Sequence, residues 1–175
     1  MQEKDKRARF ELMVVPHMAA AYNLARWLTR NEHDAEDVVQ EAFLRAYRFF
    51  EGFHGTDGRA WILAIVRNSC YTLLEQNRRK QVAIDDEVTE LQDTRPSPEA
   101  LHLADVDKQL LRQAIEELPA EFREAIILRE LEGLSYKEIG TVTGAPLGTV
   151  MSRLARARQR LERALAPRLS QGGVA

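Results

Sequence analysis

The stretch LSYKEIGTVTGAPLGTVMSRLARARQRL, residues 134–161, carries the strongest structural signal in the chain. Ser135 followed by Glu138 has the spacing of a capping box, which predicts a helix start. Ile139 and Val142 supply the apolar side of that helix. Gly144 suits the left-handed conformation that a tight connection between helices needs. Pro146 fits the first turn of the next helix, where its missing N–H costs nothing. From there Val150, Leu154, Ala157 and Leu161 recur at i, i+4, i+7 and i+11 and make one buried stripe, while Thr149, Arg153, Arg156, Arg160 and Arg163 lie in antiphase. A short helix, a glycine turn and a second helix with a basic outer face is the helix-turn-helix layout. An ordinary αα-hairpin with a solvated basic face has the same outline, but the agreement of cap, turn and stripe favours nucleic-acid binding.

The rest of the chain supports an all-α reading. Its 175 residues are 45% hydrophobic and 30% charged, which suits one domain or two small ones. No run of about 18 apolar residues occurs, and the charged start MQEKDKRARF lacks the apolar core of a secretory signal. A single cysteine, Cys70, leaves no internal disulfide and argues against a cysteine-based zinc site. The expected location is therefore the cytoplasm. The net charge of −2 conceals a pattern: residues 1–80 carry 13 basic and 11 acidic groups, 81–105 carry seven acids against Arg95, and 106–175 carry 11 basic and 9 acidic groups. Residues 153–168 alone hold six arginines against Glu162. Such clustering on a near-neutral chain marks a nucleic-acid footprint, although most charge runs are merely solvated faces.

The acidic stretch QVAIDDEVTELQDTRPSPEA, with Pro96 and Pro98, reads as an extended, flexible linker. It divides the chain into two small helical domains, 1–80 and 106–175, joined by linker 81–105. The first domain predicts three long helices. One runs from about Lys4 to Thr29 with a kink at Pro16. The second starts near Asp34, with Asp37 as its capping partner, and continues to about Phe50. The third spans roughly Arg59 to Arg79, after the glycine-rich loop EGFHGTDG. In the second domain one helix near 105–118 breaks at Pro119, and another runs from about Ala120 to Gly133.

Three surfaces stand out in the first domain. On the second helix, Ala35, Val38, Val39, Ala42, Ala46 and Phe49 face inward, whereas Asp37, Gln40, Glu41 and Arg48 surround Leu44. By itself that outer face reads as solvated with one stray leucine; a protein-binding spot is the sharper alternative. On the third helix Trp61, Ile62, Ile65, Val66, Cys70 and Leu73 form a core side. Arg67, Tyr71 and Arg78, followed by Arg79 and Lys80, suit phosphate contacts and stacking on an unpaired base. Trp61 reads as core rather than as a stacking platform. The glycine loop is placed to receive a flipped base, with a plain connector as the simpler account. His17, His33, His54 and His102 are scattered, so neither a metal nor any other cofactor is expected. There is no phosphate-cradling loop, nucleophile elbow or HExxH, so the chain is not expected to be an enzyme or to take a small-molecule substrate.

The blocks DAEDVVQEAFLRAYR (34–48), WILAIVRN (61–68) and LPAEFREAIILRELEGLSYKEIG with GTVMSRLARAR (118–158) together resemble the extracytoplasmic-function group of bacterial RNA polymerase sigma factors. The resemblance implies a transcription initiation factor that binds core RNA polymerase, recognises −10 and −35 promoter elements and promotes duplex melting. It implies that Asp37, Gln40, Glu41, Leu44 and Arg48 dock on the β′ clamp helices, with a further contact to the β flap. It implies that Phe53, His54, Thr56, Asp57, Arg67, Asn68, Tyr71, Arg78 and Arg79 read and melt the −10 element of promoter DNA. By the same token Thr149, Ser152, Arg153, Arg156 and Arg160 read the −35 element, and a membrane-associated anti-sigma factor holds the protein inactive. Met151, Ala155, Thr72 and Glu75 depart from residues common in the group, which leaves the promoter sequence open. The rivals are a stand-alone helix-turn-helix regulator, which would need a dimer although no sustained heptad occurs, and an adaptor that never touches DNA.

Overall fold

A computed structural model describes residues 2–83 and 105–169, and all regular structure among them is helical. The N-terminal unit comprises α1 (Gln2–Met13), α2 (Met18–Thr29), α3 (Glu32–Phe49) and α4 (Gly58–Ala83). The C-terminal unit comprises α5 (Asp105–Glu116), α6 (Ala120–Ile126), α7 (Tyr136–Thr143) and α8 (Leu147–Leu169). Most of the acidic linker, including Pro96, Pro98 and His102, lies outside the described residues. Helix α4 runs three residues past the boundary expected at 80, and α5 begins at Asp105.

Pro16 does more than kink the first helix. It sits in a 3-10 turn, Val15–His17, that separates α1 from α2 and leaves Val14 fully buried at the corner. Arg30, at φ 58°, ends α2 in the left-handed conformation. Helix α3 then starts earlier than its sequence suggested. Asn31, in extended backbone, accepts a hydrogen bond from the Asp34 amide at 3.0 Å, so the Asn31 carboxamide is the cap. Asp34 instead lies in the first turn, where its charge favours the positive helix end.

The inward face of α3 holds Ala35, Val38, Val39, Ala42 and Ala46 as expected, but Phe49 is 62% exposed. The chain tightens into a 3-10 turn at Phe50–Gly52, and this carries Phe50 rather than Phe49 into the core. The Phe50 ring meets Phe10 edge-on with centroids 5.4 Å apart. Phe43 is the other inward aromatic that the expected face omitted. Trp61 is half-buried and stacks on Phe53 at 4.6 Å, in keeping with a packing role.

Gly58 opens α4 where the helix crosses the backbone of Met13. A Cβ there would lie inside contact distance of the Met13 carbonyl, so only glycine allows the approach.

The two units pack against each other, α4 on α7 and α2 on α6, and their buried side chains form one continuous cluster. Arg59 of α4 donates to Glu138 at 2.7 Å, and Asn23 of α2 donates to Glu132 at 2.6 Å. Glu138 also completes the α7 capping box by accepting from the Ser135 amide. The Arg59 bond first, and then the Ser135 amide, hold the Glu138 carboxyl at about 2 rather than 4.5.

Two predictions follow from this packing. Gly58→Ala should cost roughly 1–3 kcal/mol in urea unfolding, since neither backbone can retreat from the added methyl. Glu138 has a lowered folded-state pKa, so its stabilising contribution is present above 4.5 and is lost as pH falls through about 2. Thermal melts monitored by circular dichroism over that range should show a smaller acid-induced loss for Arg59→Ala than for the natural chain; equal losses would contradict the assignment.

Candidate nucleic-acid interface

The helix-turn-helix is built as its spacing predicts. The Ser135 hydroxyl accepts from the Glu138 amide and the Glu138 carboxylate accepts from the Ser135 amide, both at 3.1 Å. Gly144 closes α7 at φ 71°. The Pro146 carbonyl accepts the first bond of α8 from Val150, so the proline sits just before the helix rather than within it. Val150, Leu154 and Ala157 are buried, and Leu161 is half-buried. That fixed inner stripe turns the opposite face outward. Ser152, Arg156 and Arg160 are exposed, and Thr149 and Arg153 are half-exposed. Arg160 lies over the Phe122 ring at 5.1 Å, and Arg153 approaches Glu121 at 3.9 Å. Leu147 and Met151 add two exposed apolar side chains at the start of α8.

The α4 surface is less uniform. Asn68, Arg78 and Arg79 are exposed. Arg78 and Arg79 share Glu75, at 3.0 and 3.5 Å, and the Arg78 bond chiefly holds that carboxyl below its ordinary range. Arg67 points elsewhere. Its Nε and Nη2 donate to the two carboxylate oxygens of Glu124 at 2.9 and 3.1 Å, while its guanidinium lies 4.1 Å from the centre of the Tyr71 ring. Burial works against the Arg67 charge, yet the Glu124 bond holds its pKa above the ordinary arginine value. Burial pushes the Glu124 carboxyl up against the opposing pull of Arg67. Tyr71 is half-buried, and burial likewise pushes its hydroxyl up. Cys70, beside this pair, is buried with its thiol pushed up to about 12, far from the thiolate that redox chemistry needs.

The loop before α4 divides its expected residues between two jobs. His54, Thr56 and Asp57 are exposed, and the Asp57 carboxylate accepts from the Ala60 amide at 3.0 Å as the cap of α4. The Phe53 ring is folded back on Trp61. On α3, Asp37, Gln40, Glu41 and Arg48 are exposed around Leu44, which is 65% exposed. Leu44 and Gln40 border an apolar groove of about 890 Å³ floored by Phe10, Met18, Tyr22 and Phe43. Sequence reading did not find this groove, because half of it comes from α1 and α2.

Two charged side chains were also missed. Arg123 and Glu124 are buried on α6. Arg123 donates to the carbonyls of Glu116 and Leu118 at 2.8 and 3.2 Å and so fastens the end of α5 to α6. The run EFREAI, in which Glu121 is a third charge beside Arg123 and Glu124, carries no local sign that its central charges face inward.

A family model for Sigma-70 region 2 matches residues 13–80, and one for Sigma-70, region 4 matches residues 108–161. The chain is 38% identical over 181 residues to the RNA polymerase sigma-H factor of Pseudomonas aeruginosa, covering 98% of this chain and 93% of that one. It is 36% identical to the ECF RNA polymerase sigma factor SigE of Mycolicibacterium smegmatis over 91% of its own length, spanning 62% of that protein. Its fold matches the sigma factor RpoE of Bartonella quintana, solved in complex with the anti-sigma factor NepR, with a TM-score of 0.72 and 30% identity over 93% of this chain and 98% of that one. With both regions matched in order and full-length relatives this similar, the chain belongs to the extracytoplasmic-function group of RNA polymerase sigma factors.

Proposed function

We propose that this sigma factor divides its work among three surfaces. Helix α8 enters the major groove of the −35 element, where a helix fits a groove about 12 Å wide. Ser152, Arg153, Arg156 and Arg160 reach bases and phosphates there, and Thr149 meets the backbone. Helix α4 and its preceding loop take the −10 element. Arg67, Arg78 and Arg79 neutralise phosphates, Asn68 and Tyr71 face the separated strand, and Phe53, His54, Thr56 and Asp57 border the site of a captured base. The α3 face with Asp37, Gln40, Glu41, Leu44 and Arg48 docks on core polymerase.

The observation that carries this reading is the outward basic face of α8, set opposite the buried Val150, Leu154 and Ala157 and aimed by a capped α7 and a glycine turn. The protein itself catalyses no step, works in the cytoplasm, and opens the duplex through binding energy rather than nucleotide hydrolysis. An anti-sigma protein controls it, a reading supported by the NepR partner of the similar RpoE. A stand-alone regulator is disfavoured because both matched regions are sigma regions.

Co-elution with bacterial core polymerase followed by run-off transcription tests the whole reading: a stable complex that initiates from discrete sites is expected, and dimeric DNA binding without polymerase would refute it. Arg156→Ala should cost about 1–3 kcal/mol of −35-dependent binding while leaving polymerase affinity unchanged. The pair Gln40→Ala and Leu44→Ala should weaken core-polymerase binding in a pull-down titration, and unchanged affinity would remove α3 from that interface.

A further inference from the structure

We propose that Met151 is a specificity-determining residue of α8, and that it selects a thymine in the −35 element through the methyl group of that base. The inference rests on the placement of α8 in the major groove made above.

The outward side of α8 is divided along its length. Thr149, Arg153, Arg156 and Arg160 form one edge, which bears a hydroxyl and three guanidinium groups. The other edge is a row at i, i+4 and i+8 of Leu147, Met151 and Ala155. Leu147 is 55% and Met151 51% exposed, and Ala155 is exposed as well. Gly148 and Ser152, both exposed, run between the two edges. Apolar side chains scattered singly on a surface are ordinary, but a row in register beside a basic edge is not.

The division matches what a DNA groove offers. Phosphates line its rim and suit the arginines, whereas base edges form its floor. Methionine donates no hydrogen bond and its sulfur accepts only weakly, so Met151 has no partner to give guanine O6 and N7 or the cytosine amino group. Pressed against those edges, it strips their water and returns nothing, which counts against a G·C pair. The thymine methyl is the apolar group of the major-groove floor, and an A·T pair presents it in either orientation. Burying that methyl against Met151 removes apolar surface of both partners from water. An unbranched side chain with three rotatable bonds can follow the methyl through small changes of docking angle.

Gly148, one turn before Met151, points the same way. A Cβ at this position would meet nothing within 4 Å, so packing within the described residues gives no reason for a glycine there. Its bare backbone leaves room for a partner to come close beside Met151 and Ser152. Position along the helix adds a constraint. Met151 precedes Arg156 by five residues, about 7.5 Å at a rise of 1.5 Å per residue. Base pairs stack about 3.4 Å apart, so the selected thymine lies within about two to three base pairs of the position that Arg156 specifies.

Holoenzyme assembled from the full-length chain and bacterial core RNA polymerase is the material for the test. Duplexes that it binds from a random-sequence library are recovered and sequenced for the natural chain, Met151→Ala and Arg156→Ala. The block of sequence that Arg156→Ala alters is the −35 element. Within it the natural chain should select a thymine at one position, and Met151→Ala should lose that preference about fourfold while the rest of the block is kept. Deoxyuridine in place of this thymine removes only the methyl. It should weaken binding of the natural holoenzyme about fourfold, the scale of one buried methyl, and leave the Met151→Ala holoenzyme unchanged.

Equal losses on deoxyuridine in both chains would overturn the proposal and leave α8 as the −35 helix. So would an Arg156-dependent block that holds no Met151-dependent thymine. Uniform weakening of core-polymerase association by Met151→Ala would overturn it too, by making this apolar edge a protein contact. If Arg156→Ala alters no block at all, α8 is not the −35 helix, and the proposal falls with that assignment.

Discussion

A guanidinium and a carboxylate, Arg67 and Glu124, meet in the interior between the two halves of this sigma factor. Neither charge can be left there alone, because an unpaired charge in a low-dielectric interior costs several kcal/mol. The pair therefore sets which face of α4 the C-terminal unit covers. Around it, Arg59 with Glu138 and Asn23 with Glu132 keep the same register at the periphery. The apolar side chains fill the space between the halves, but hydrophobic contact is non-directional and does not by itself choose one orientation.

Helix ends do comparable work on a smaller scale. The Asn31 cap, the Pro16 turn and the capping box at Ser135 fix where α3, α2 and α7 begin. Once those starts are fixed, the period of 3.6 residues decides which side chains point outward. The outward basic face of α8 is a consequence of Val150, Leu154 and Ala157 being buried. The α3 face around Leu44 is likewise what remains when Ala35, Val38, Val39, Ala42 and Ala46 turn inward. Glu138 links the two scales, since one carboxylate both caps α7 and bridges to α4.

Much of the candidate site was legible in the order of the residues. The helix-turn-helix announces itself because cap, turn and stripe are local features, each set by neighbours within one or two helical turns. The basic clustering in residues 153–168 and the exposed Leu44 were readable for the same reason. The groove beside Leu44 was not, because Phe10, Met18 and Tyr22 reach it from other helices. Phe49 misled for a local reason: helical phase favours it over Phe50, until a 3-10 turn shifts the phase at the end of α3.

The residue order thus settles the all-helical class, the starts and breaks of most helices and the outer face of α8, all of which depend on short-range periodicity and turn chemistry, and its likeness to known sequences gives the sigma-factor family. Tertiary structure settles what no period encodes: that Arg67 faces a carboxylate 57 residues away, that Arg123 and Glu124 are buried, and that the basic side chains of α4 and α8 differ in exposure. A charge on a helix looks solvated until a second helix arrives with its partner. Sequence spacing specifies the angle at which each side chain leaves its own helix, and only the packing of helices specifies what it meets.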